Sequence, residues 1–164
     1  MLLTKSEIDN IWSRIYREYN FKPSIYGAIP FEFSVPYIVY DISKLNECHL
    51  DLMQNIITQV FINCTSEGEK IYALDWQHSC FKFDPRKLEG QQSIYVKDEN
   101  YCGGGYYAYF PSYYPDGDYY FFIDCNFRFG YLGHPWQQKV WIFGEDLIKE
   151  FRKVDEQIGF VKVD

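Results

Sequence analysis

The chain has 164 residues, 23 acidic against 16 basic, and a net charge of −7, and its length suits one domain around one core. With no basic stripe and a pI of about 5.0, nucleic acid is excluded as a partner, because binding its backbone draws on clustered lysine and arginine. An acidic surface instead suits a basic protein partner, whose approach it steers.

In chain order, Thr4 followed by Glu7 reads as a capping box. Ile8, Ile11, Trp12, Ile15, Tyr16 and Tyr19 then recur at helical spacing. Pro23, Gly27 and Pro30 punctuate the connection after this helix. FEFSVPYIVYDI reads as extended chain interrupted at Pro36. A second helix is expected from Glu47 to Cys64, with Leu50, Met53, Ile56, Ile57, Val60, Phe61 and Cys64 on one face, stopped near Gly68.

From Lys70 the period changes to two. KIYALDW and SCFKFDP read as an antiparallel pair around Gln77 and His78. Residues 86–100 read as a surface loop. The run CGGG at Cys102 to Gly105 lacks the lysine and hydroxyl residue of a phosphate loop. YYAYFPSYYPDGDYYFFID gives two strand-like pieces around a Pro-Asp-Gly turn. His134 and Pro135 read as a glycine-rich turn between CNFRFGYLG and the next strand, QKVWIF as the last strand, and the residues after Gly144 as a short helix with Leu147, Ile148 and Phe151 inward.

The sum is one α+β domain over residues 1–164. It has a mainly antiparallel sheet of about six strands, two longer helices on one face and a short C-terminal helix. Aromatics at 21%, with 16 Tyr and 14 Phe, fit such a sheet better than a helical bundle.

Five scattered cysteines with no C-x-x-C pair indicate neither a disulfide framework nor a thiolate zinc site. Free thiols suit a reducing cytosol. The opening MLLTKSEIDNIW has no apolar core of signal-peptide length, and no later run reaches a membrane span. A cytoplasmic protein away from the membrane is therefore expected, and no cofactor signature is present.

Three motifs stand out: Asp75, Trp76 and His78; then Pro115, Gly117, Asp118 and Tyr119; then Gly133, His134, Pro135 and Trp136. In this combination the chain resembles an uncharacterised domain family of Gram-positive bacteria with Asp-Trp-x-His, Pro-x-Gly-Asp-Tyr and Gly-His-Pro-Trp segments. The resemblance implies a family but no activity, so the chemistry rests on the residues themselves.

Asp75, His78, Asp118 and His134 are the candidate catalytic residues, because paired carboxylates and imidazoles serve hydrolysis or sugar processing. Asp116 and Asp118 are spaced like the start of a calcium loop, but its twelfth position is Phe127 rather than glutamate. No H-x-x-x-H pair preorganises zinc, so no metal site is expected. Cys80 lies two residues from His78, and a buried cysteine is the plain reading of it.

The competing reading makes the Asp/His residues a satisfied polar network clamping strands. Trp76, Trp136 and Tyr119 are then candidates for a recognition patch. The leading functional expectation is a non-enzymatic binding protein, such as an immunity-type protein that neutralises a basic toxin domain. A hydrolase or sugar-processing enzyme is the alternative.

Overall fold

A computed structural model describes residues 1–28, 31–87, 97–98 and 106–163. Helix α1 (Lys5–Tyr19) starts where Thr4 caps it: the Thr4 hydroxyl accepts the Glu7 N–H, and the Glu7 carboxylate accepts the Thr4 N–H. Such a cap is worth about 1 kcal/mol. Ile11, Trp12, Ile15 and Tyr19 form the buried stripe, while Tyr16 reaches the surface. Strand β1 (Tyr37–Asp41) begins directly after Pro36. Helix α2 spans Glu47–Cys64, as the periodicity predicts. The Arg86 guanidinium caps its C-terminal end, donating to Ile62 O at 2.9 Å and, just past the helix, to Ser66 O at 3.1 Å.

The remaining elements are β2 (Ile71–Asp75), β3 (Cys80–Phe83), β4 (Lys97–Asp98), β5 (Tyr106–Tyr107), β6 (Tyr120–Asp124), β7 (Gly130–His134), β8 (Lys139–Phe143), α3 (Glu145–Phe151), α4 (Asp155–Ile158) and β9 (Val161–Lys162). Seven strands form one antiparallel sheet in the order β3-β2-β6-β7-β8-β1-β9, and β4 pairs with β5 apart from it. At one edge the N-terminal residues bind β3 through Leu3 N–H to Cys80 O and Lys82 N–H to Met1 O. Most of the expected loop at 86–100 and all of the run at 102–105 lie outside the described residues.

The α+β class and the antiparallel sheet stand, but two expectations need correction. First, the long helices cover opposite faces. Ile11, Trp12 and Ile15 of α1 pack with Leu74, Phe121, Ile123, Leu132 and Trp141, whereas Met53, Ile57 and Phe61 of α2 pack with Ala73, Phe122, Tyr131 and Ile142. Adjacent residues of a strand point to opposite faces, so both faces carry core. The all-apolar runs FFI and VWIF are the sequence mark of a strand covered on both sides.

Second, His134 ends a central strand, Gly130–His134, so of the expected turn pair only Pro135 lies in the turn that follows, and β9 comes after the strand expected to be last. Gly130 belongs there because the Phe143 ring lies over it: a Cβ at that position would stand 2.4 Å from Phe143 Cζ. Gly133 is packed under Pro115 in the same way, at 3.0 Å from its Cβ. Glycine inside a strand marks close approach of a neighbour. No helix among the described residues is long and apolar enough to cross a membrane.

Candidate functional site

Asp75 ends β2 and lies opposite Tyr120, the first residue of β6. That register brings Asp118, two residues upstream of β6, against the turn between β2 and β3. The Asp75 carboxylate organises this turn: Oδ1 accepts the Gln77 N–H at 3.2 Å and lies 2.9 Å from His78 Nδ1. Asp118 Oδ1 accepts the Tyr119 N–H at 2.7 Å. Its other oxygen, Oδ2, lies 3.3 Å from His78 Nδ1, is buried, and makes no hydrogen bond of acceptable geometry.

Three of the four candidate catalytic residues therefore converge, with one ligand atom each of Asp75, His78 and Asp118 inside 4.8 Å of one another. Both carboxylates are buried, at 7% and 6% exposure, and His78 is the member that reaches solvent. Burial first and the neighbouring Asp118 second push the Asp75 carboxyl up to about 7, against the lowering effect of His78.

The fourth candidate, His134, stands apart from this network. As the last residue of β7 it is fully buried, stacked on Phe31 and packed against Tyr119 and Trp141 at 4.8 and 5.2 Å between ring centres. Its Nδ1 accepts the Gln137 N–H at 3.3 Å. The expected clamp through His134 fails because the extra strand turns its ring into the α1-side core. Burial lowers its pKa to about 4. Cys80 is likewise buried, and burial raises its thiol to about 12, which keeps it protonated.

A small cleft of about 180 Å³ adjoins the cluster, lined by Ser24, Ile25, Trp76, Asp118, Tyr119 and Trp136 among others. Trp136 is 50% exposed and donates its indole N–H to Ser24 O at 2.7 Å. Trp76 is half-buried and donates to the Tyr16 hydroxyl at 2.7 Å. Tyr119, expected as a surface contact, is buried and forms the wall behind the tryptophans, edge-on to Trp76.

Residues 2–148 match the family described as "Protein of unknown function (DUF2716)". The chain belongs to the DUF2716 family. It is similar to "Uncharacterized protein YxiI" of Bacillus subtilis (strain 168), with 31% identity over 159 residues covering 90% of this chain and 88% of that protein. No solved structure matches it.

Two further features of this DUF2716 chain escape the sequence reading. Ile25, which lines the cleft with Trp136, and the adjoining Tyr26 are exposed at 48% and 94%. Only their position in a proline- and glycine-punctuated connection hints at exposure. A larger concavity of about 990 Å³ lies at the other end of the sheet, lined by Tyr19, Phe127, Phe143, Ile148, Lys149 and Arg152 among others. None of the candidate residues faces it. The end of the sheet that gathers buried carboxylates, an imidazole and exposed aromatics is the better candidate on chemistry, despite its smaller volume.

Proposed function

We propose that this DUF2716 chain is a cytoplasmic, non-catalytic protein-binding module whose partner is a basic polypeptide, of the kind an immunity protein meets in a toxin domain. The observation that carries this reading is Trp136. It is half exposed yet fixed by its bond to Ser24, and a large aromatic held in place before binding loses little freedom on association. Ile25, which lines the same cleft, and the adjoining Tyr26 add exposed apolar surface. A net charge of −7 draws a cationic partner to the protein.

The sugar-processing alternative has less support. The cleft of about 180 Å³ falls below the roughly 300–1,000 Å³ usual for small-molecule sites. Asp75 and Asp118 are both buried, which leaves little carboxylate surface for a substrate to meet.

The test uses the intact protein as bait in a lysate of a bacterium carrying the gene, beside a folded Trp136→Ala variant, followed by calorimetry with the purified partner. A basic protein should be retained, and the variant should weaken its affinity by about 30-fold, the effect of losing a central aromatic anchor. Equal affinity of wild type and variant, or retention of no protein, refutes the reading.

A further inference from the structure

We propose that Asp75, His78 and Asp118 form a binding site for one divalent first-row metal ion, a property that goes beyond the protein-binding reading and does not depend on it. The first ground is donor chemistry. Two carboxylate oxygens and an imidazole nitrogen are the hard and borderline ligands that zinc and manganese accept.

The second ground is geometry. The His78 Nδ1 atom lies 2.9 Å from Asp75 Oδ1 and 3.3 Å from Asp118 Oδ2, and all three donors fall inside 4.8 Å. A tetrahedral ion with bonds of about 2.1 Å has donor separations of about 3.4 Å. Small side-chain rotations of a surface histidine are enough to reach it.

The third ground is Asp118 itself. Its Oδ2 atom is buried, points into the cluster and makes no hydrogen bond of acceptable geometry, although buried polar atoms are normally paired. Among the described residues neither Asp75 nor Asp118 has an ion pair with lysine or arginine, and His78 is their ion-pairing partner. Two buried carboxylates facing each other require positive charge or a proton between them, and a cation supplies the charge.

The outer bonds also suit this role. Gln77 N–H holds Asp75 Oδ1, and Tyr119 N–H holds Asp118 Oδ1. Such bonds orient carboxylates toward a metal. Here they leave Asp118 Oδ2 as the inward donor. His78 reaches solvent, which gives an ion a way in.

The experiment strips the intact protein with EDTA, then titrates it with Zn²⁺ and separately with Mn²⁺ by calorimetry, with metal content read after desalting. One ion per chain is expected for at least one metal, with micromolar or tighter affinity. His78→Ala and Asp118→Asn should each weaken it at least 10-fold. Cys48→Ser, which removes an exposed thiol, should leave it unchanged. Should Asp118→Asn fail to fold, His78→Ala, on an exposed turn, decides alone. Absence of stoichiometric binding to wild type, or binding undiminished in His78→Ala, overturns the proposal.

Discussion

Lowering the pH from 7 to 5 should destabilise the protein through His134. Its imidazole has no exposure to solvent, and burial lowers its pKa from 6.5 to about 4. Because Nδ1 accepts the Gln137 N–H, protonating that nitrogen would set two donors against each other. A histidine with a folded pKa below its unfolded value takes up a proton on unfolding. Its stabilising effect is therefore present at neutral pH and lost as the pH falls through 6.5 toward 4. The full shift corresponds to about 2 kcal/mol between pH 7 and pH 5. Attraction between an imidazolium and the rings of Phe31, Tyr119 and Trp141 returns on the order of 1 kcal/mol, so the expected loss is about 1–2 kcal/mol.

Asp75 acts with the opposite sign, since its raised pKa makes the folded state take up a proton over the same range. The measurement is therefore a difference: urea unfolding of wild type and His134→Leu at both pH values. The wild type should lose about 1–2 kcal/mol more than the variant on acidification. Identical pH dependence of the two proteins, or a greater loss in the variant, refutes the reasoning.

Two further substitutions probe the frame of the sheet. Asp124 is buried at the end of β6 and accepts from Arg128 Nε at 2.7 Å, from Arg128 Nη2 at 3.0 Å and from the Asn126 N–H at 3.1 Å. Asp124→Asn should cost about 2 kcal/mol in urea unfolding, because charge-assisted bonds are lost in a buried place; a loss below about 0.5 kcal/mol contradicts this. Gly130→Ala should cost about 1–3 kcal/mol by overpacking. The Phe143 ring cannot shift freely, being held against Tyr19 and Phe33 at 4.7 and 5.4 Å between ring centres. Adding Phe143→Leu should recover part of that loss, and strictly additive costs would show that the two residues do not press on each other.

Local rules make much of the fold legible. Thr4 with Glu7 fixes the start of α1, and the spacing from Met53 to Phe61 fixes α2, because capping and helical periodicity act within a few residues. The features that escape these rules depend on contacts far apart in sequence. GYLGH carries no strand signal of its own until Phe143 and Pro115 are seen covering its two glycines. The faces taken by α1 and α2 likewise result from long-range packing, and continuous apolar strands carry no mark of which helix covers which side. Residue type is enough to nominate Asp75, His78 and Asp118, but their convergence depends on the pairing of β2 with β6. His134 is nominated on the same grounds and is misplaced for the same reason as its strand.

The adjacency of the polar cluster and the aromatic patch arises from the backbone. Trp76 succeeds Asp75, Tyr119 succeeds Asp118, and the Trp76 N–H bonds the Tyr119 carbonyl at 3.1 Å. Any group that fixes the two carboxylates therefore also fixes the chain that carries Trp76 and the wall formed by Tyr119. Trp136 is tied to the same place from the other side, two residues after His134, whose ring packs on Tyr119 at 4.8 Å. Sites carried by strand ends and their immediate turns hold their geometry better than sites on long loops. The chain segments that carry Asp75, Trp76 and Asp118 and the strand end before Trp136 thus meet at one buried residue, Tyr119.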